Sequence, residues 1–151
     1  MNSEVTSNTN TVSQAEANSQ SSFKNKYSLD KRAKWAAEAR QQYPNKFPLI
    51  IERAQDKNTL ENLEEMANPK FLMPNTFKVA EVLTIIKKKL QLTREVQQQS
   101  GIVLFAEGRY LMKSDAPISD IYERHQDKED GFLYIVYQVE KVYGASEPSF
   151  D

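Results

Sequence analysis

A continuous apolar run near the C-terminus constrains the fold more than any other part of the sequence. It reads Phe132-Leu133-Tyr134-Ile135-Val136-Tyr137 and contains only aromatic, β-branched and leucine side chains. Such residues favour β-strands, in which successive side chains point to opposite faces of the sheet. A strand that is apolar on both faces is typical of a sheet covered on both sides. The run therefore predicts a strand with a layer packed on each of its faces.

Helical and strand patterns alternate through the rest of the chain. Apolar residues at helical spacing predict three helices, over 28–43, 79–90 and 118–125. Runs of apolar and β-branched residues predict further strands over 47–51 and 70–74, and a hairpin of 102–105 with 109–112. With the last strand, the order is helix, strand, strand, helix, strand, strand, helix, strand. This order predicts an α+β domain in which one principal helix crosses a mixed sheet.

Composition divides the chain into three parts. Residues 1–22 are polar and contain no aromatic residue, so they offer too little apolar surface to offset the entropy of ordering and predict a disordered extension. Residues 23–144 form the predicted domain and carry a net charge of +3, whereas the whole chain carries −1. This weakly basic character suits acidic peptides or an anionic membrane surface, because nucleic acid usually requires a much stronger basic face.

The residue types on which most enzymes depend are scarce. The chain has no cysteine and a single histidine, His125, which excludes a Cys-His pair and a metal site of several such ligands within one chain. On a helical face, His125 is more typical of a packing or surface residue than of a catalyst. No apolar stretch reaches the roughly 20 residues needed to cross a bilayer. We therefore expect a soluble, intracellular protein with no catalytic residues, no metal and no cofactor.

Gly144 follows Val142-Tyr143 and precedes the polar segment 145–151. Because glycine has no Cβ, a backbone that ends in it can thread a narrow enzymatic channel that a larger residue would block. A chain built to be cut after Gly144 is one interpretation. An ordinary turn or cap glycine before a disordered terminus is the other. The residues around Gly144 do not by themselves decide between them.

Six segments, in order, carry a resemblance to a known family. They are YPNKFPLIIER at 43–53, KFLMP at 70–74, IIKKKLQL at 85–92, APISDIY at 116–122, EDGFLYIVY at 129–137 and VYG at 142–144. Together they resemble the ubiquitin-like autophagy modifiers, and they are nearer to the microtubule-associated protein light chain 3 branch than to the GABA-receptor-associated one. The resemblance covers about residues 23–144. It implies a ubiquitin-like β-grasp fold with an N-terminal helical extension.

The resemblance implies that a cysteine protease removes residues 145–151 as a C-terminal propeptide. Ubiquitin-like activating and conjugating enzymes would then join Gly144 to phosphatidylethanolamine. The protein would be cytoplasmic when unconjugated and would lie on the autophagosome membrane when lipidated. The alternative function is a ubiquitin-like adaptor that binds peptides but is never conjugated.

The resemblance also implies that autophagy receptors bind through short linear motifs that carry an aromatic and an aliphatic anchor. By matched position, the aromatic pocket is formed by Ala39, Pro48, Ile50, Leu72 and Phe132. The aliphatic pocket is formed by Phe71, Met73, Pro74, Phe77, Val82, Ile85 and Ile86. Lys46, Lys70 and Lys89 would attract acidic flanking residues.

Every one of these apolar positions is also compatible with a place in the core. Helical spacing alone does not decide whether Ile85 or Ile86 faces the sheet. Trp35 stands where the family commonly has an acidic residue, and Ala39 stands where it has a larger aliphatic one. We therefore expect the indole of Trp35 to fill or reshape part of the aromatic pocket.

Overall fold

A five-stranded mixed sheet forms the centre of the protein in a computed structural model, which describes residues 21–55, 66–91 and 100–141. The strand order is β2-β1-β5-β3-β4. β1 and β5 are parallel, and the other three pairings are antiparallel. The elements are α1 (Ser22–Lys26), α2 (Leu29–Gln42), β1 (Lys46–Arg53), β2 (Lys70–Pro74), α3 (Val79–Leu90), β3 (Ser100–Ala106), β4 (Tyr110–Leu111), α4 (Ile118–His125) and β5 (Leu133–Lys141). The predicted α+β class and the order of the predicted elements are confirmed.

β5 is buried on both faces, as its apolar run predicts. Leu133, Ile135 and Tyr137 are fully buried in the larger core cluster, which includes residues of α3 and α4. Phe132, just before β5, and Tyr134 point to the opposite side, into a smaller cluster with α1 and α2. The sheet is therefore the middle of three layers.

α3 packs its apolar face on the larger cluster. Val79, Val82 and Ile86 are fully buried there, whereas Ile85 is only partly buried at the edge. Ile86 is therefore the residue that faces the sheet. Lys87, Lys88 and Lys89 lie exposed in the last turn, where cations oppose the negative end of the helix dipole.

α1 is a helix that the sequence patterns did not predict. Ser21 is its N-cap, and the Ser21 hydroxyl donates to Glu52 Oε1 at 3.0 Å while the N–H of Phe23 donates to Glu52 Oε2 at 2.9 Å. Ser21 and Ser22 thus belong to the described fold, although the predicted domain begins only at Phe23. A helix of five residues is too short to show a 3.6-residue period, so only the isolated Phe23 could have indicated it.

A salt bridge fixes α1 against the loop before β5. Lys24 Nζ lies 2.6 Å from Asp127 Oδ2 and 4.7 Å from the centre of the Tyr134 ring. Burial alone would raise the pKa of Asp127, but the hydrogen bond from Lys24 and the backbone N–H groups of Asp130 and Glu129 outweigh it and lower the pKa. α1 is thus tied both to the sheet and to the following loop.

A buried polar network fixes α2 to the same loop and to β5. The Asp130 carboxylate accepts from Arg32 Nη1 at 2.6 Å, from the Tyr134 hydroxyl at 2.6 Å and from the N–H of Phe132 at 2.8 Å. Burial raises the pKa of Tyr134, and its hydrogen bond to Asp130 raises it further. Burial lowers the pKa of Arg32, but the contacts with Tyr134 and Asp130 outweigh it and leave the pKa raised. These bonds hold α2 in one position over the sheet.

His125 lies at the end of α4, away from β2. Its Nδ1 is 2.7 Å from Glu107 Oε2, and its ring lies 4.8 Å from that of Tyr110. His125 is thus a partly buried packing residue, and its lack of a catalytic role stays a prediction. Gly144, the proposed propeptide 145–151 and the polar extension up to residue 20 lie outside the described residues. Within the described ranges, no helix is both long and apolar enough to span a bilayer.

Candidate functional site

β2 is an edge strand, and its register shows which backbone groups point outward. Hydrogen bonds join Ile51 N–H to the Pro69 carbonyl and Asn75 N–H to the Asn45 carbonyl, both at 2.9 Å. In an antiparallel pair, alternate residues bond to the partner strand and the others point away from it. The even-numbered residues of β2 therefore present their backbone groups at the free edge.

Only one outward amide of β2 is open to a ligand among the described residues. Pro74 has no N–H, and the N–H of Lys70 donates to Asn68 Oδ1 at 3.1 Å. The N–H of Leu72 has no such partner in the described part of the chain. Leu72 is also 37% exposed. An extended peptide that adds to this edge would therefore be aligned by the backbone of Leu72.

The predicted aromatic-pocket residues lie on the α2 side of the sheet, but most of them are covered. Ile50 is 0% exposed and Phe132 3% exposed, both within the smaller core cluster. Pro48 is also buried, Ala39 on α2 is half-buried, and Leu72 opposite Pro48 is exposed. The structure thus places these five residues on one side of the sheet. Ile50 and Phe132 form the buried floor, not an open surface.

Six of the seven predicted aliphatic-pocket residues lie on the opposite side, in or against the larger core cluster beside α3. Pro74 alternates with Met73 along β2 and lies on the α2 side with Leu72. Those fully buried in the larger cluster are Met73, Val82 and Ile86. Those only partly buried on this side are Phe71, Phe77 and Ile85. Apart from Pro74, the two predicted sets thus flank β2, one on each face. Alternate side chains of a peptide bound along β2 would reach the two sets in turn.

The three predicted cations lie in different settings, one each on β2, β1 and α3. Lys70 Nζ lies 4.0 Å from the centre of the Trp35 ring, and Lys46 Nζ lies 5.7 Å from that of Tyr43. Lys89 is exposed at the end of α3. No ion pair joins any of these three lysines to a carboxylate among the described residues. In that part of the chain the three lysines therefore keep uncompensated charges that suit an acidic peptide.

Two aromatic residues of this site were not predicted from the sequence. Tyr27 packs edge-on against Trp35 with ring centres 4.8 Å apart, and Phe23 lies 6.1 Å from Trp35. Both also line a cleft of about 250 Å³ that runs past Glu52 to Lys70. Tyr27 follows α1 directly and precedes the N-cap of α2, so the unpredicted helix is what brings these rings to the site.

Comparison with known proteins identifies the family to which this fold and edge belong. A sequence profile for the family described as Autophagy protein Atg8 ubiquitin like matches residues 31–144. The chain belongs to the Atg8 family. Proteins of this family are non-enzymatic ubiquitin-like modifiers that act in autophagy.

Individual relatives of the Atg8 family cover most of this chain. Autophagy-related protein 8d of Arabidopsis thaliana is 35% identical over 124 residues, which is 82% of this chain and 95% of that protein. Autophagy-related protein 8 of Mycosarcoma maydis is 36% identical over 82% of this chain and 97% of its own length. The crystal structure of Trypanosoma brucei ATG8 superposes with a TM-score of 0.70 at 29% identity, over 82% of this chain and 98% of that one. The expected family and its ubiquitin-like α+β fold are thereby confirmed.

Proposed function

We propose that this Atg8-family protein is cleaved after Gly144, conjugated to phosphatidylethanolamine and displayed on autophagosomal membranes, where it recruits cargo receptors through short peptide motifs. The observation that carries the recruiting role is the free edge of β2, with apolar residues on both faces and uncompensated lysines beside it. The observation that supports cleavage is that the family match ends at residue 144, before the polar segment 145–151.

The proposed conjugation chemistry is supplied by partner proteins. A processing cysteine protease would expose the Gly144 carboxylate. The activating enzyme would use ATP to convert this carboxylate into an acyl adenylate, and its thiol would displace AMP to form a thioester. The acyl group would pass to the thiol of the conjugating enzyme, and the amine of the lipid headgroup would displace that thiol to form an amide bond. The protein contributes an unbranched terminus that fits narrow active sites. Two acyl chains then hold it firmly, because a single chain gives only marginal membrane binding.

Peptide capture rests on strand addition. The backbone of a bound peptide pairs with Leu72, and its alternate side chains reach the α2 side and the α3 side of β2. Lys46, Lys70 and Lys89 would attract acidic residues that flank the anchors. The aromatic and aliphatic anchors correspond to the two predicted pocket sets.

The intact mass of protein recovered from cell membranes tests the conjugation. We expect the membrane-bound form to lack Ala145 to Asp151 and to carry the mass of one phosphatidylethanolamine, while the cytosolic form carries no lipid. Membrane-bound protein that retains its last seven residues would contradict the proposal. A protein that binds receptor peptides but never acquires a lipid would instead be the non-conjugated adaptor.

Leu72→Pro tests strand addition at β2. The substitution removes the one outward amide of this strand that is open in the described residues, so we expect the affinity for an acidic peptide with aromatic and aliphatic anchors to fall about tenfold. The control is Leu72→Ala, which shortens the side chain but keeps the N–H. Isothermal titration calorimetry on both variants makes the comparison. Equal losses of affinity would show that the side chain, not the backbone, makes the contact.

A further inference from the structure

One ring face of the Trp35 indole lies beneath the side chain of a β2 residue, Lys70. Tyr27 packs against it edge-on, at an interplanar angle of 76°. Lys70, the first residue of β2, places its ammonium 4.0 Å from the ring centre. This ring face is therefore covered by a long, exposed side chain with a charged end, not by a packed apolar residue.

Trp35 is held in one position, whereas the Lys70 side chain that covers its ring can be replaced by a ligand. Trp35 lies on α2, which the buried Arg32–Asp130 pair ties to the loop before β5. Lys70 is exposed and has no carboxylate partner among the described residues. An exposed cation–π contact changes an equilibrium by only about two- to fivefold. A ligand carboxylate can therefore pair with the Lys70 ammonium and draw it away from the indole, because the cation–π contact that is lost contributes little free energy.

Phe132, the aromatic residue of the predicted aromatic pocket, is less accessible than the half-buried Trp35. Phe132 and Ile50 form a floor that is almost completely buried, so a ligand side chain reaches them only if the covering residues move. Ala39 lies one helical turn after Trp35 and has a side chain too small to crowd the indole. Trp35 itself is half-buried, so part of its indole is within reach of a ligand side chain.

We propose that Trp35 is a specificity-determining residue, on whose indole the aromatic anchor of a bound peptide stacks in place of the Lys70 ammonium. Lys70 then turns to a carboxylate of the same peptide. The ligand class is an extended acidic peptide that carries a ring and a carboxylate close together. This inference rests on the proposed peptide-binding function and assigns recognition of the peptide's aromatic side chain to Trp35.

A double-mutant cycle between ligand and protein tests this assignment. The probes are two synthetic peptides without tryptophan, identical in their glutamates and aliphatic anchor, one with phenylalanine and one with leucine at the aromatic position. Ring stacking adds about two- to tenfold to binding, so we expect the full chain to prefer the phenylalanine peptide by up to about tenfold. Trp35→Leu should reduce this preference to about threefold or less, and Trp35→Phe should retain most of it. Equal preferences in the wild-type protein and Trp35→Leu would overturn the assignment.

Fluorescence of the wild-type protein provides a test that does not depend on how the variants fold. Trp35 is the only tryptophan of the chain, so its emission reports on this site alone. We expect the emission to change during titration with the phenylalanine peptide and to saturate at the affinity measured by calorimetry. Calorimetric binding without an emission change would refute stacking on Trp35 and leave the peptide-binding function intact. No binding of either peptide by calorimetry would refute both.

Discussion

Asp130→Ala is expected to lower the free energy of unfolding by about 3–5 kcal/mol, the usual effect of removing one member of a buried ion pair. The Asp130 side chain is 0% exposed and accepts hydrogen bonds from Arg32, Tyr134 and the backbone of Phe132. Its removal leaves the buried Arg32 guanidinium without its counter-charge and frees two further donors. Urea unfolding followed by circular dichroism measures the change.

Two further variants separate the buried network from general effects of charge. Asp120→Ala removes an exposed carboxylate in the first turn of α4, and we expect a loss of only about 0.5 kcal/mol. Asp130→Asn keeps one acceptor oxygen but no charge. Its loss of unfolding free energy should lie between those of Asp120→Ala and Asp130→Ala. A loss below about 1 kcal/mol for Asp130→Ala would show that Arg32 finds solvent or another partner when the carboxylate is absent. Because the network positions α2, the same variant should also weaken peptide binding through Trp35.

The strands and helices could be predicted because their signals are local. The unbroken apolarity of the Phe132 run corresponds directly to a strand with a cluster on each side. The spacing of Val79, Val82 and Ile86 gives the buried face of α3 in the same way. Ser28 caps α2 by accepting from the N–H of Lys31, as its residue type predicts. In each case, a few neighbouring residues contain the information.

The candidate site depends on contacts that local patterns do not contain. Arg32 and Asp130 are 98 residues apart, so their pairing follows only from the completed fold. Burial also cannot be assigned to single apolar residues of a site from the sequence. Ile50 and Met73 are fully buried, although each was predicted as a pocket residue, and their contribution to a ligand stays a prediction. The family resemblance indicates which positions form the pockets, and the structure shows how exposed each of these residues is.

Trp35 shows the limit of transferring a site by position. The sequence indicates that an indole replaces a commonly acidic residue, but not where the ring points. The answer comes from Tyr27, which α1 brings against the indole, and from Lys70, which reaches it from β2. Lys70 is 35 residues from Trp35, and Tyr27 is eight residues away but lies outside α2, so no helical pattern that contains Trp35 indicates either contact. Such a substitution alters the charge balance of the edge, because Lys70 keeps a cation that an acidic residue would have neutralised.

Gly144→Ala is expected to abolish both trimming of the tail and recovery of the protein in the membrane fraction. The proposal requires a protease and two thioester-forming enzymes to accept the backbone at this residue, and a methyl group there displaces the reacting carbonyl. A misplacement of about 1 Å can slow an enzymatic step by about a hundredfold, and the successive steps compound the loss. Intact mass of the cytosolic and membrane fractions, with phosphatidylethanolamine-modified protein quantified, measures the outcome.

Chains that end at residue 144 separate trimming from conjugation. A truncated wild-type chain needs no protease and should still acquire the lipid, whereas the truncated Gly144→Ala variant should not. Ser146→Ala, a matched substitution within the tail, should leave both steps unchanged. If full-length Gly144→Ala is trimmed and lipidated as fast as the wild-type protein, Gly144 is not the conjugated residue. If the truncated wild-type chain stays unmodified in cells that conjugate other ubiquitin-like proteins to lipid, the free β2 edge alone accounts for the function, as a soluble peptide-binding adaptor.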